Sequence, residues 1–174
     1  MYQTGELIVY GTTGVCRVEG VTKPRLNLAE RNREYYLLTP LFQDGVIYSP
    51  VDSEKVAMRP VMTRQEAEEL VDQMPELQAE AWKAPTMQAL TQRYQDVMRS
   101  HDCRQLAALT KSIYAKRRQA ESHKRRLGLV DERYMKQAER LLYGELSVAL
   151  DIPYDDVEAY IARRVEAKSA GVGM

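Results

Sequence analysis

In this 174-residue chain Lys and Arg balance Asp and Glu at 25 each, yet the cations gather in one stretch, Lys111 to Arg126 (KSIYAKRRQAESHKRR). On a helix at about 100° per residue, Leu106, Leu109, Ile113 and Ala120 collect on one side, with Lys111, Arg118 and Arg125 roughly opposite. Such a stripe is either an ordinary solvated face or a surface for phosphates. Lys116, Arg117, Arg118, Lys124, Arg125 and Arg126 can grip a nucleic-acid backbone, but their uniform charge offers no means of reading bases. Three to five of them on phosphates would give log K against log salt a slope on the order of −3 to −5.

The single tryptophan, Trp82, lies in a polar, alanine-rich segment outside any clear apolar stripe. A lone tryptophan commonly packs in a core or between domains. An exposed one beside a cationic face stacks on an unpaired base or wedges into a minor groove.

Catalytic constellations are absent from the sequence. His101 and His123 are the only histidines, and neither has a Cys, Asp or Glu at metal-ligand spacing. The chain holds no GxxxxGK[ST], no GxGxxG after a strand and no GxSxG. Asp155 and Asp156 are adjacent in a first helical turn, where they suit the helix dipole rather than acid–base chemistry. Cys16 and Cys103 form no CxxC pair and read as reduced, buried small residues. The expectation is a non-enzyme without metal or cofactor.

Two kinds of element must position these residues. In residues 1–61, ELIVY (6–10), VCRVEGV (15–21), REYYLLTP (33–40), VIYSPV (46–51) and KVAMRPV (55–61) are short runs rich in Val, Ile and Tyr, with glycines between. Five such strands predict a closed SH3-like or Tudor-like barrel. Residues 62–85 read as a helix and a linker. Thr63-Arg64-Gln65-Glu66 is a capping box that starts the helix, which stops before Pro75, and PELQAEAWKAP is the linker between domains.

Residues 86–168 read as helices throughout: Thr86 to about Arg99, Asp102 to about Leu127 with Gly128 as C-cap, Asp131 to about Leu150, and Pro153 or Tyr154 to about Lys168. Residues 169–174 are expected to fray. The short connections predict a helical hairpin with the basic run on one arm. The fold class is therefore α+β multidomain, a small barrel followed by an all-α helical bundle. Residues 101–143 hold 11 cations and 5 anions, a local excess of 6 that zero net charge conceals. With no apolar leader and no run of eighteen apolar residues, a cytoplasmic protein with no membrane partner is expected.

The order and wording of these segments carry a resemblance. GELIVYGTTGVCRVEGV, REYYLLTP, VIYSPVDSEKVAMRPV, the tryptophan and DERYMKQAERLLYGELSVAL resemble the CarD/CdnL family of bacterial RNA-polymerase-binding transcription regulators, from Gly5 to about Arg164. The resemblance implies a Tudor-like domain that docks on the β subunit of RNA polymerase and a helical domain that touches promoter DNA at the upstream edge of the transcription bubble. Bubble collapse is slowed there by a tryptophan in the minor groove.

Carried over by position, Trp82 is the wedge, while Arg93, Lys111, Lys116, Arg118, Lys124 and Arg125 are backbone contacts. Val46, Ile47, Tyr48, Ser49 and Arg59 meet the polymerase. Tyr48 stands where some relatives carry arginine, and Lys83 is followed by Ala84, Pro85 and an uncharged run to Arg93. The barrel also occurs in transcription-repair coupling factors, but this chain has no nucleotide-binding motif. A monomer is expected, nucleoid-associated through RNA polymerase. The alternative from another class is a protein–protein adaptor without DNA contact.

Overall fold

In the N-terminal unit, residues 1–61, five short strands form one antiparallel sheet because their apolar residues alternate in register. A computed structural model describes residues 1–23, 33–77 and 81–172, with side chains up to residue 167, and divides the chain into Met1–Val61 and Met62–Met174. The strands are β1 (Leu7–Tyr10), β2 (Gly14–Thr22), β3 (Tyr35–Pro40), β4 (Ile47–Pro50) and β5 (Met58–Pro60), in the order β4-β3-β2-β1-β5. Ile8 lies opposite Cys16, and Leu38 lies between Val18 and Ile47, so one face of the sheet buries Ile8, Cys16, Val18, Tyr36 and Leu38.

The five strands appear where their composition places them, but the expected barrel is not closed. β4 pairs only with β3 and β5 only with β1 among the described residues. Both edge strands are short and end in proline, Pro50 and Pro60, which has no N–H with which to extend a ladder. Gly11 fixes the β1–β2 turn at φ +48°, and a Cβ there would meet Val56 Cγ1 at 2.7 Å.

The second unit is helical: α1 (Arg64–Gln73), α2 (Met87–Arg99), α3 (Cys103–Ser122), α4 (Leu129–Leu150) and α5 (Val157–Val172). The capping box forms as read, with Thr63 Oγ1 accepting from the Glu66 amide and Glu66 Oε1 accepting from the Thr63 amide, each at 3.1 Å. Cys103 meets Glu145 and Lys116 meets Asp131, so α3 and α4 run antiparallel. Glu145, 1% exposed, accepts from the Met62 amide at 2.8 Å and from the Cys103 thiol at 3.1 Å, which ties the start of this unit to both arms of the hairpin. Residues 75–85, read as a linker, fall inside this unit, and Leu77, Trp82 and Ala84 pack against its core.

Four helix ends differ from the sequence reading: α4 starts at Leu129 rather than after Asp131, and α5 at Val157, after a 3-10 turn at Tyr154–Asp156, rather than at Pro153 or Tyr154; the other two are the ends of α3 and α5. α3 stops at Ser122 rather than near Leu127, because Lys124 takes a left-handed conformation at φ 56°. The Arg125 amide then reaches Ala120 O at 2.7 Å and the Lys124 amide reaches Glu121 O at 3.0 Å, the Schellman pattern usually made by glycine. Gly128 consequently caps the start of α4 instead of the end of α3. The tail read as frayed continues α5 to Val172; residues 173 and 174 lie outside the described residues.

A left-handed lysine costs roughly 1–2 kcal/mol, of which glycine's extra chain entropy would return roughly 0.5–1. Lys124→Gly is therefore expected to stabilise the protein by about 0.5–1 kcal/mol, read as a raised midpoint in denaturant unfolding.

Candidate functional site

Trp82 is held by side chains of α2 and α3. Its amide donates to Ser112 Oγ at 2.8 Å, and Ser112 is fully buried in α3. Its half-buried ring lies 6.1 Å from the Tyr94 ring, tilted by 32°, and the Arg93 guanidinium sits over it at 3.9 Å from the centroid. Such a contact is worth about 0.5–1 kcal/mol at exposed sites and about 2 when desolvated. Arg93 thus covers one face of the indole.

Beneath it lies a polar cluster. The Tyr94 hydroxyl donates to Asp131 Oδ1 at 2.6 Å, and Lys116 Nζ donates to the same oxygen at 3.0 Å. Burial pushes the Tyr94 phenol well above its ordinary pKa, and the hydrogen bond to Asp131 adds to the shift.

The cationic stripe does not survive as one surface. Lys111 points into the protein, its Nζ donating to the carbonyls of Met74 at 2.8 Å, Pro75 at 3.4 Å and Leu77 at 2.8 Å. Those carbonyls follow the C-terminus of α1, where the helix dipole favours a cation, and Met74 O also accepts from the Leu77 amide at 3.2 Å. Burial lowers the Lys111 pKa. Lys116 is likewise engaged, its side chain 22% and that of Asp131 13% exposed. A seven-residue repeat assumes that one helix face meets water, but α3 packs against α4 on one flank and receives the chain after α1 on another.

Arg117 is partly buried, and Arg118, Lys124, Arg125 and Arg126 are exposed. Arg118 lies 5.8 Å over the ring of Tyr114, itself exposed, while Lys124, Arg125 and Arg126 occupy the turn after α3. That turn begins ten residues beyond Ser112, about 15 Å along the helix, so the structure places them apart from Trp82. Arg93, by contrast, belongs with the tryptophan.

In the N-terminal unit, strand alternation divides the polymerase candidates. Val46 and Tyr48 are exposed at 58% and 41%, whereas Ile47 packs on the core and Ser49 is only 3% exposed. Ile47 and Ser49 therefore belong to the inner face. Arg59 lies on β5, at the opposite edge from β4, and donates to Pro60 O at 3.2 Å. Phe42, exposed in the β3–β4 connection, was not singled out from the sequence; its nearness to Val46 along the chain was the available signal. Ser112, Tyr94 and Asp131 were also missed as site residues, the last because it read as a helix start.

Residues 2–62 match the family model described as CarD-like/TRCF RID domain. The N-terminal unit coincides with this CarD-like/TRCF RID domain. The match bears out the resemblance to CarD-like proteins over these residues, and RID denotes an RNA-polymerase-interacting domain. The match covers 61 of the 174 residues and is consistent with a transcription-associated protein. No curated protein matches the chain. Among the described residues no group of three or more His, Cys, Asp and Glu is placed to hold a metal, and no helix is long and apolar enough to cross a membrane.

The engaged state of Lys116 separates a structural from a nucleic-acid role. Removing one partner of a fully buried pair costs about 3–5 kcal/mol, and the partial exposure here lowers that to about 2. Lys116→Met should therefore destabilise the protein in thermal or denaturant unfolding while leaving the salt slope of DNA binding unchanged.

Proposed function

We propose that this protein is a non-enzymatic cytoplasmic transcription regulator that binds the β subunit of RNA polymerase through its RID domain and stabilises the open promoter complex through its helical unit. The observation that carries the reading is the RNA-polymerase-interacting domain at residues 2–62. Exposed Val46, just before β4, and Tyr48 on that edge strand are the contacts it favours for docking. Trp82 is assigned to the upstream edge of the bubble as a wedge presenting its rim, since a guanidinium already lies over one face. Arg118, Lys124 and Arg125 are assigned to phosphates, because they are the predicted contacts whose side chains are exposed and not held within the protein.

The helical unit shifts the equilibrium between closed and open promoter only by its difference in affinity for the two. An aromatic contact of about 1–3 kcal/mol made only with melted DNA would lengthen the open state by roughly 5- to 150-fold. The adaptor without DNA contact is favoured by one observation, the partial burial of Trp82 in its own unit.

Co-purification with RNA polymerase, followed by measurement of open-complex lifetime, separates the two readings. Trp82→Ala should shorten the lifetime at least several-fold and leave co-purification intact; equal lifetimes would favour the adaptor, and failure to co-purify would remove the docking reading. Replacing Arg118, Lys124 and Arg125 together by alanine should flatten the salt slope of DNA binding by about 3, at roughly 0.9 per phosphate contact. An unchanged slope would return the three to a solvated face.

A further inference from the structure

Lys111 and Ser112 are neighbours on α3, and each holds a different point of the chain that leads from α1 to Trp82. Lys111 gathers the carbonyls of Met74, Pro75 and Leu77, and Ser112 accepts the amide of Trp82 itself. A fully buried hydroxyl is costly unless it is hydrogen-bonded, so Ser112 is matched to this contact. A lysine whose ammonium faces three carbonyls is matched to a chain end rather than to an external anion. Arg93 and Tyr94, neighbours on α2, then meet the indole ring. The backbone is thus fixed from α3 and the ring from α2.

We infer that Lys111 and Ser112 are positioning residues that set where Trp82 is presented, Lys111 by anchoring residues 74–77 and Ser112 by fixing the tryptophan amide. The importance of this placement for promoter opening rests on the function proposed above; the placement itself does not. Lys111, which lies in the basic run, thereby acts on nucleic acid only through Trp82.

Trp82 is the sole tryptophan, so its fluorescence in the full-length protein reports its surroundings without any DNA. In Ser112→Ala the Trp82 amide should exchange with deuterium roughly three- to tenfold faster, the range set by one ordinary hydrogen bond. In both Ser112→Ala and Lys111→Met, emission should move to longer wavelength and acrylamide quenching should rise, with native helix content retained. Lys111→Arg keeps a cationic donor and should restore wild-type emission; Lys111→Gln replaces the methionine variant if that fails to fold. A lysine that merely stabilised the end of α1 would lower the unfolding midpoint and leave native-state emission unchanged.

Unchanged emission in the Lys111 variants, or unchanged Trp82 amide exchange in Ser112→Ala, overturns the inference. Open-complex lifetimes keep the two readings apart. Altered fluorescence in these variants with no lifetime effect of Trp82→Ala removes the proposed function and leaves the positioning role. A shortened lifetime in Trp82→Ala with unaltered fluorescence in the Lys111 and Ser112 variants does the reverse.

Discussion

Backbone acceptors at the end of a helix need donors, and the manner in which α1 meets that need shapes the candidate site. The chain turns after Gln73 through a 3-10 turn at Met74–Glu76, and the ammonium of Lys111 serves the carbonyls of residues 74, 75 and 77. Three carbonyls offered together at fixed positions hold the ammonium by geometry, whereas one phosphate in salt offers an exposed lysine a screened contact. Engagement with all three takes Lys111 out of the basic surface. It also anchors the chain a few residues before Trp82, so loss of one surface cation is coupled to placement of the tryptophan.

Most of the fold was legible because it rests on signals one or two turns long. Enrichment in Val, Ile and Tyr between glycines located five strands, and Thr63 with Glu66 located a helix start to the residue. Where the reading failed, a competing local signal decided. Gly128 sits where a C-cap is expected, but Lys124 accepts the left-handed conformation four residues earlier and leaves the glycine to begin α4. The barrel was inferred from the general need to cover strand edges, whereas Pro50 and Pro60 at the ends of β4 and β5 leave the sheet open.

The site was less legible because a helix projection knows one helix at a time. Lys111 and Arg118 fall on the same projected face, yet one is held by a neighbouring chain segment and the other is exposed. The same holds for Lys116, drawn to a carboxylate fifteen residues further along the chain. On β4 the period of two was visible in VIYSPV, and it alone could have separated outward Val46 and Tyr48 from inward Ile47 and Ser49. Trp82 was identified by its rarity; its contacts with Arg93, Tyr94 and Ser112 arise from tertiary packing of α2 and α3.

A held tryptophan suits the proposed task better than a free one. A mobile side chain loses about 0.5–1.5 kcal/mol of conformational freedom when immobilised at an interface, enough to cancel much of an aromatic–base contact of about 1–3 kcal/mol. With amide and ring already fixed, that loss is largely met on folding. Arg93 sets the opposing term: uncovering the ring costs about 0.5–2 kcal/mol, so a contact that required the covered face would gain little. Rim-first insertion leaves the stack intact and keeps a guanidinium beside the indole, where phosphate charge attracts it. Wedging is thus the mode these magnitudes favour over face-on stacking, with Arg93 acting alongside the ring rather than giving way to DNA.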